Sequence, residues 1–488
     1  MLVSRFSPLV VALSLVLGVS VLAGVPASAS LTAQVATSQL PGTVAPAAAG
    51  TDGRKAALKR RWKAPNGPFF NDPRRKKGYF TIEREVIKTI RHTPRKGVIR
   101  IAVYSFDRMP VANALIAAHK RGVKVQMLLN DHQDTRAMQA IRAEIGTNRN
   151  KNSFIYKCVA SCRSTQNEYN NMHTKFYSFS QSGRSKDVMA IGSANMMLNA
   201  ALHQWNDLYF TSGDHELFRQ FVSLFNNMKK DWDKRRPPRF FCGTPTGATC
   251  DDSIDKSTVW ALPKLSGPKN DLVLDMLNRI QCVTTDAAGN PARTRLALSM
   301  HTMRGRRGDY LAAAIRNKFA EGCDFRVSYG LIGYRTKQIL GAPTARGRIP
   351  LRSTGLDYNT EDDFDLNKDG EDDLILDYYS HQKYFVIQGQ YNGVPGTEMV
   401  LTGSSNWASL STANDELWLT VRGARVAKKY IRNFNYQWDN ERNSRDAYTT
   451  TYSTFRVKGD DGRWVTERRP VTTIERDNYR KGPYWESD

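Results

Sequence analysis

The feature of this chain that most restricts its fold is a pair of motifs that occurs twice. "HTKFY" at 173–177 precedes "GSANM" at 192–196, and "HQKYF" at 381–385 precedes "GSSNW" at 403–407. Each copy holds a histidine, a lysine two positions later, and then a Gly-Ser-x-Asn segment. A repeat period of about 200 residues is typical of a duplicated domain rather than of a solenoid. The sequence therefore predicts two similar halves that together build one active site.

Each motif copy follows a segment with the pattern of a strand, a helix and a second strand. In the first copy the strands are "VIRIAVYSF" and "VKVQMLLND", and the helix between them has Pro110 near its start and Gly122 at its end. Residues 294–303, 309–322 and 323–333 repeat the pattern. Continuous apolar, β-branched strands that alternate with helices indicate buried parallel strands in an α/β fold. We predict two duplicated α/β/α lobes.

The termini differ in composition from these lobes. Residues 1–29 combine Arg5, a long apolar stretch and "ASA" before the expected cleavage point, which is the pattern of a secretory signal peptide. We therefore expect a secreted protein. The predicted organisation is a signal peptide at 1–29, a flexible linker at 30–60, lobe 1 at 61–262, lobe 2 at 263–445, and a C-terminal tail at 446–488 that contains a hairpin.

Six cysteines agree with an oxidising compartment. Their spacing does not match a zinc site, because no Cys-x-x-Cys pair is accompanied by a second pair or by histidines. Spacing alone does not fix connectivity, but the cysteines fall into three local pairs, and we predict three disulfides. The expected pairs are Cys158 with Cys162, Cys242 with Cys250, and Cys282 with Cys323.

The chain is strongly basic. It has 71 lysines and arginines against 47 aspartates and glutamates, which gives a formal net charge of +24 over 488 residues. Such an excess favours polyanionic partners, among them nucleic acid and anionic lipid surfaces, although a general habit of exported proteins explains it equally well. Charge by itself identifies no substrate.

The repeated motif residues suit the binding of a phosphate group. An imidazole and an ammonium on one face of a strand repel each other unless an anion lies between them. Ser193 and Ser404 are expected to bind the substrate as neutral donors, and the motif glycines to let the backbone approach it. A single His-x-Lys on a strand is usually an edge residue beside a solvated charge, but two copies with matching downstream segments are not explained in that way.

These motifs resemble the signature of the phospholipase D superfamily, His-x-Lys-x4-Asp followed by Gly-Gly or Gly-Ser-x-Asn, over about 75–440. The resemblance implies a two-step displacement at phosphorus that needs no cofactor, with His173 as nucleophile and His381 as general acid. It also implies that an acidic residue after each Gly-Ser-x-Asn orients a catalytic histidine. The remaining implied site residues are Lys175, Asn195, Lys383 and Asn406 for charge stabilisation, and Asp207 and Glu416 as the orienting acids.

The chain departs from this signature at one position in each copy. The aspartate that the family places seven residues after the histidine is replaced by Ser180 in the first copy and by Gln388 in the second. In the family this aspartate largely supports the loop of the motif, so activity is expected to survive its loss.

A short acidic stretch ahead of the second motif has the spacing of a calcium-binding loop. Positions 1, 3, 5 and 9 carry oxygen ligands and position 6 is glycine, but the position of the bidentate acid holds leucine. A solvated acidic loop is the alternative interpretation. The candidate ligands of a structural calcium ion are Asp365, Asn367, Asp369 and Asp373.

The sequence thus favours a secreted, monomeric phosphodiesterase that hydrolyses or transfers the head groups of phospholipids at a membrane surface. A secreted nuclease with the same residues is the first alternative, and the net charge of +24 supports it. A non-catalytic binder of polyanions or lipids, in which the missing aspartates mark a decayed site, is the second alternative.

Overall fold

The computed structural model describes residues 61–163, 170–231, 241–242, 258–264, 267–286, 288–356 and 376–474. For residues 241, 242 and 258 only the backbone is described. The predicted signal peptide, the linker and the predicted calcium loop at 365–373 lie outside these ranges. Among the described residues, no helix has the length and hydrophobicity needed to cross a bilayer.

Lobe 1 is built around a seven-stranded sheet in the order β1-β8-β6-β5-β2-β3-β4. Its elements in chain order are β1 (Gly67–Phe70), α1 (Thr81–Arg91), β2 (Val98–Val103), α2 (Met109–Lys120), β3 (Lys124–Asn130), α3 (Arg136–Ile145), β4 (Phe154–Cys158), β5 (Lys175–Ser182), β6 (Ser185–Gly192), α4 (Leu198–Leu202), β7 (Gln204–Trp205), β8 (Asp207–Thr211) and α5 (His215–Met228).

Lobe 2 is built around a larger sheet in the order β22-β16-β15-β14-β18-β19-β21-β10-β9, with β11 paired to β18 and β20 paired to β14. Its elements are β9 (Phe241–Cys242), β10 (Thr258–Ala261), α6 (Leu272–Asn278), β11 (Ile280–Gln281), β12 (Val283–Thr285), β13 (Pro291–Arg293), β14 (Arg295–Arg304), α7 (Gly305–Ala320), β15 (Asp324–Ile332), α8 (Tyr334–Gly341), β16 (Leu351–Ser353), β17 (Tyr379–Ser380), β18 (Lys383–Tyr391), β19 (Val394–Gly403), β20 (Trp407–Ala408), a 3₁₀ turn (Leu410–Thr412), β21 (Leu417–Arg422), α9 (Ala424–Trp438) and β22 (Arg445–Asp446). The last two strands, β23 (Tyr448–Lys458) and β24 (Trp464–Ile474), form a separate hairpin.

The two sheets have the same topology. The order β4-β3-β2-β5-β6-β8-β1 in lobe 1 corresponds to β16-β15-β14-β18-β19-β21-β10 in lobe 2. In each set the first three strands are parallel and the following strands are antiparallel. The predicted α/β fold is confirmed.

The match of the two sheets also corrects the lobe boundary expected at residue 262. Strand β10 pairs with β21 of lobe 2, just as β1 pairs with β8 of lobe 1. Residues 258–261 therefore belong to the second sheet and are not the end of lobe 1. A short strand next to a proline carries too little periodicity to reveal which sheet it joins.

The strand–helix–strand units form where the sequence predicts them. Strand β2 pairs in parallel with β3, and β14 pairs in parallel with β15. Helix α2 begins with proline in its first turn, and Gly122 after it has a φ of +89°. These are the positions at which proline and glycine favour the start and the end of a helix.

Three large apolar clusters stabilise the described part of the chain, and the third joins the lobes. The first two lie within lobe 2 and lobe 1 respectively. The third packs Phe176 and Phe221 of lobe 1 with Val386, Leu419 and Phe434 of lobe 2. Because burial of aromatic and aliphatic side chains is the main stabilising term in folding, this shared cluster fixes the position of one half-site against the other.

Two of the three predicted disulfides are present. Cys158 bonds to Cys162, and Cys282 bonds to Cys323. The expected pair of Cys242 and Cys250 falls outside the described side chains.

Candidate active site

The two motif histidines lie directly before the central strand of each sheet, and each is held by the opposite lobe. Lys175 is the first residue of β5 and Lys383 is the first residue of β18. The backbone N–H of His173 donates to the carbonyl of Asp415 in lobe 2 (2.9 Å), and that of His381 donates to the carbonyl of Trp205 in lobe 1 (2.9 Å). The structure therefore brings both half-sites together through reciprocal hydrogen bonds.

The side chains of the histidines repeat this exchange between the lobes. His173 Nδ1 lies 2.8 Å from Glu416 Oε1, and His381 Nδ1 lies 2.8 Å from Asn206 Oδ1. Because a carboxylate can only accept, Nδ1 of His173 carries the proton in that contact. The orientation of the Asn206 amide is fixed, because its Nδ2 donates to the carbonyl of Ala200 (3.2 Å) and to Gln204 Oε1 (3.1 Å). Its oxygen therefore accepts from His381.

The motif serines hold these partners in place. Ser404 Oγ donates to Glu416 Oε2 (2.6 Å), and Ser193 Oγ donates to Asn206 Oδ1 (3.0 Å). The sequence assigned Ser193 and Ser404 to substrate binding, but in the structure both hydroxyls fix the residue that contacts the histidine of the other half-site.

The motif glycines are required by a neighbouring strand. A Cβ atom at Gly192 would lie 2.2 Å from the carbonyl oxygen of Asp207, and one at Gly403 would lie 2.1 Å from that of Leu417. Both contacts are far too short for a side chain. The sequence predicted that these glycines let the backbone approach a bound group. In the structure they instead let the backbone of the neighbouring strand come close.

Asp207 does not orient a histidine, which corrects the role assigned to it. Its Oδ2 accepts from Thr402 (2.6 Å) and from Tyr430 (3.0 Å), and burial raises the pKa of this carboxyl group. The correct partner is the preceding residue, Asn206. The resemblance implies an acidic residue at this place. The nearest acid, Asp207, follows Asn206 by one position, and its side chain lies on the opposite face of the strand.

The motif lysines and asparagines line the same buried region. Lys175 Nζ donates to the carbonyl of His173 (3.0 Å), and Lys383 Nζ donates to that of His381 (2.8 Å). Asn195 is buried, and within the described part of the chain its Nδ2 makes no hydrogen bond. A buried amide donor without an acceptor is costly, and a phosphoryl oxygen would satisfy it.

The backbone of Asn406 is held by a buried ion pair. Arg307 Nη1 donates to the carbonyl of Asn406 (2.9 Å), and Arg307 Nε lies 2.7 Å from Asp271 Oδ2. Asp271 also accepts from the side chain of Tyr310 (2.6 Å). These contacts fix the second Gly-Ser-x-Asn segment against lobe 2.

Two aromatic rings beside the histidines were not predicted from the sequence. The ring centroid of Tyr104 lies 4.9 Å from that of His173, and the centroid of His301 lies 4.6 Å from that of His381. His301 Nδ1 donates to the carbonyl of Ser380 (3.0 Å). Tyr104 directly follows β2, and His301 lies in the second half of β14, near the carboxyl ends of parallel strands, where ligand sites of α/β sheets lie. This position was the signal that the sequence offered.

A cavity adjoins the first half-site. Asn195 and Asn206 form one wall, Met197 lies beside them, and the ion pair of Arg108 with Glu83 (2.6 Å) forms part of another wall. The cavity therefore lies beside Asn206, the residue that contacts His381.

The residues that replace the expected motif aspartates serve the sheets. Ser180 Oγ accepts from the backbone N–H of Val98 (2.9 Å), and Gln388 Nε2 donates to Glu398 Oε2 (2.8 Å). Neither side chain has a hydrogen bond to a motif residue in the described structure.

A disulfide loop supports the partner of His173. Asp415, next to Glu416, accepts from Ser161 Oγ (2.9 Å) and from the backbone N–H of Cys162, inside the Cys158–Cys162 loop. Burial raises the pKa of Asp415 to about 7. The small loop thus covers a carboxyl group directly behind the first half-site.

No metal site is found in the described part of the chain, since no three metal-ligating side chains gather there. The predicted calcium ligands at 365–373 lie outside the described residues.

Several known proteins are similar to parts of this chain. Residues 86–229 match the family model described as "Cardiolipin synthase, PLD-like domain". A search of curated proteins gave no significant match. Similar solved structures include phosphatidylserine synthase from Haemophilus influenzae, with a TM-score of 0.46 and 11% identity over 81% of this chain and 92% of that one.

Two further similar structures are a polyphosphate kinase and a phospholipase D family member. The polyphosphate kinase from Porphyromonas gingivalis has a TM-score of 0.44 and 13% identity over 74% of this chain, which spans only 49% of that kinase. Nuc from Salmonella typhimurium, described as a phospholipase D family member, has a TM-score of 0.24 and 18% identity over 33% of this chain and 91% of its own.

The family model covers residues 86–229, which is less than half of the chain. Over those residues the chain is similar to a PLD-like domain, and the described fold is α/β.

Proposed function

We propose that the chain is a secreted phosphodiesterase that hydrolyses or transfers phospholipid head groups through a phosphohistidine intermediate. The observation that carries this proposal is the reciprocal arrangement of the histidines. Each imidazole contacts a buried acceptor from the opposite lobe, Glu416 for His173 and Asn206 for His381. Such orientation is what a nucleophile and a general acid need.

In the first step His173 Nε2 attacks phosphorus and forms an N–P bond, while the bond from phosphorus to the leaving oxygen breaks. His381 gives its proton to that oxygen, so the leaving group departs as a neutral alcohol. Glu416 stabilises the positive charge that develops on His173, because it accepts from Nδ1 of that ring.

In the second step His381 accepts a proton from water, and the water oxygen attacks phosphorus. The N–P bond then breaks and His173 is regenerated. An alcohol in place of water would give head-group transfer. Lys175, Lys383 and the amide of Asn195 supply donors for the equatorial oxygens, whose negative charge grows in both transition states.

The substrate is proposed from the resemblance and from charge. A two-motif exported chain of this family is expected to cleave a phospholipid on the head-group side of phosphorus and to yield phosphatidate. The net charge of +24 suits an anionic membrane surface. The two disulfides are compatible with export. We propose that the protein acts as a monomer, since both half-sites lie in one chain.

A secreted nuclease is the second candidate, and the same net charge favours it. Binding of DNA through phosphates would weaken steeply with salt, because it releases condensed counterions.

The test uses the mature protein, its His173→Ala variant and a His215→Ala control, whose histidine lies on the surface with a side chain that is 73% exposed. Each is incubated with phosphatidylcholine vesicles and separately with plasmid DNA, with EDTA or with calcium. Choline release that is lost in His173→Ala but kept in the control supports the phospholipase. DNA cleavage without choline release would replace it with the nuclease.

Two further outcomes of this experiment address the remaining alternatives. A requirement for calcium would point to the loop at 365–373. Equal inactivity of all three proteins on both substrates would support a non-catalytic binder.

A further inference from the structure

The C-terminal hairpin is a long ribbon that the proposed chemistry does not use. Strands β23 and β24 pair over eleven residues each and belong to neither large sheet. Among the described residues, the hydrogen bonds from the ribbon to the lobes lie near its base, where the hydroxyl of Tyr448 donates to the carbonyl of Ile349 (2.7 Å) and Arg348 donates to the carbonyl of Thr472 (3.2 Å). A two-stranded ribbon alone has no core of its own, so its exposed side chains need another explanation.

One face of the ribbon is cationic and aromatic; we call it the cationic face. The register and the alternation of side chains put Tyr452, Arg456, Lys458, Trp464 and Arg468 on this face. The guanidinium carbon of Arg468 lies 4.9 Å from the ring centroid of Tyr452, and that of Arg456 lies 5.8 Å from the ring of Trp464. Within 448–474 this face carries no acidic residue.

The opposite face of the ribbon carries exposed apolar side chains near the tip; we call it the apolar face. It holds Phe455, Val457 and Val465, and both Phe455 and Val465 are more than 40% exposed. The charges on this face cancel, because Arg469 forms an ion pair with Glu467 (2.6 Å). The acidic residues of the turn, Asp460 and Asp461, lie at the tip and on neither strand.

We propose that this ribbon lies in the interface of an anionic phospholipid bilayer. The apolar face would enter the boundary of the acyl chains, and the arginines and the lysine would reach lipid phosphates. Tryptophan and tyrosine are enriched at that level of a membrane, and each cation near an anionic surface adds to binding.

A nucleic acid fits the ribbon less well. It would contact the cationic face and leave Phe455 and Val465 in water, whereas a bilayer interface buries one face and neutralises the other. This proposal rests on the proposed function, because the membrane surface that the ribbon binds would also contain the phospholipid substrate. Binding of the ribbon to the membrane does not itself require that the substrate is cleaved.

The test measures cosedimentation with vesicles, in the His173→Ala background so that lipid is not consumed. The vesicles are phosphatidylcholine alone or with about a third phosphatidylglycerol. One variant is Phe455→Ser with Val465→Thr, and a second is Arg456→Gln with Arg468→Gln. The matched control is Val283→Thr with Val394→Thr, two exposed valines outside the ribbon.

We expect binding to the anionic vesicles that falls at least tenfold in both ribbon variants and is unchanged in the control. In the otherwise wild-type enzyme, the ribbon variants should keep full activity on a soluble short-chain phosphodiester, which separates docking from catalysis. Equal vesicle affinity of all variants would overturn the proposal. Loss of binding to a single-stranded oligonucleotide, with vesicle binding intact, would assign the ribbon to nucleic acid instead.

Discussion

In the first half-site the imidazole of His173 contacts the carboxylate of Glu416, whereas in the second the imidazole of His381 contacts the amide oxygen of Asn206. Two other features of these contacts correspond. A motif serine holds each partner, and a backbone carbonyl of the opposite lobe accepts from each histidine N–H. The duplicated fold has therefore kept its geometry and changed one charge.

This single difference separates the expected roles of two similar histidines. A carboxylate stabilises a positively charged imidazole ring more strongly than a neutral amide does. The ring beside Glu416 is suited to the cationic phosphohistidine, and the ring beside Asn206 gives up a proton more readily. Two similar groups in different surroundings are a common basis for paired nucleophile and acid roles.

The largest expected effect comes from removing each histidine in turn. With a phosphodiester whose leaving group is a poor one, His173→Gln and His381→Gln should each lower kcat/KM by more than about 10³-fold. With a p-nitrophenyl ester, whose leaving group needs no proton, His381→Gln should recover the first step, seen as a burst of about one equivalent of p-nitrophenol per enzyme before slow turnover. His173→Gln should not recover.

The control for this experiment is His215→Gln, which removes an exposed histidine outside the site. Recovery of His173→Gln rather than His381→Gln on the p-nitrophenyl ester would reverse the assignment of the two roles.

Changing the charge of the residue that contacts each histidine should have the next largest effect. Glu416→Gln keeps an oxygen acceptor for His173 but removes the charge, so we expect kcat to fall by about 10- to 100-fold. Asn206→Asp adds a carboxylate beside His381 and stabilises its protonated form. The alkaline limb of the pH profile of kcat should therefore move to higher pH, as measured by initial rates between pH 5 and 9.

Glu398→Gln serves as a control, because in the described part of the chain this carboxylate bonds to Gln388 and to no motif residue. If Asn206→Asp left the pH profile unchanged, the amide would not be what distinguishes the half-sites.

The sequence predicted much of this arrangement because repeated local patterns carry it. The parallel units β2–α2–β3 and β14–α7–β15 follow from apolar strands and helix ends, and the lysines and asparagines follow from the motif. Asn206 was not predicted, because the resemblance implies an acidic residue at that place. Only the register of β6 against β8 shows that Asn206, and not Asp207, contacts His381. Long-range pairing of this kind is not encoded in local periodicity.

The same limit explains the misplaced lobe boundary and the missed rings. Strand β10 is only four residues long, and its partner β21 lies more than 150 residues further along the chain. His301 reads as a single histidine in an apolar strand, and only packing of β14 against the second motif brings it beside His381. Both features depend on tertiary contacts.

A smaller effect, on stability, is expected from a second difference between the half-sites. The residue before Glu416 is the carboxylic acid Asp415, whereas the residue before Asn206 is Trp205. The pKa of Asp415 is raised to about 7 by burial, so the folded state binds an extra proton between about pH 4 and 7. This contribution to stability is full below pH 4 and is lost as the pH rises to 7. The free energy of unfolding should fall by about 1 kcal/mol per pH unit over that range.

Urea unfolding at several pH values measures this effect. Asp415→Asn should make the slope shallower by the contribution of one carboxyl group, about 1 kcal/mol per pH unit, because other buried carboxyl groups such as Asp207 also have a raised pKa. Asp460→Asn, at the exposed tip of the hairpin, should leave the slope unchanged. An unchanged slope in Asp415→Asn would mean that this carboxyl group is ionised in the folded protein at low pH.

The smallest effect is expected where the half-sites agree, at the two positions that lack the family aspartate. Ser180→Ala removes the acceptor of the Val98 N–H and should cost about 1 kcal/mol of stability. Gln388→Ala removes a half-buried contact with Glu398 and should cost less. Neither side chain bonds to a motif residue in the described structure, so kcat/KM should change less than twofold in either variant. A tenfold loss would show that these positions still support the catalytic loops, in which case the missing aspartates would have altered the chemistry of both half-sites together.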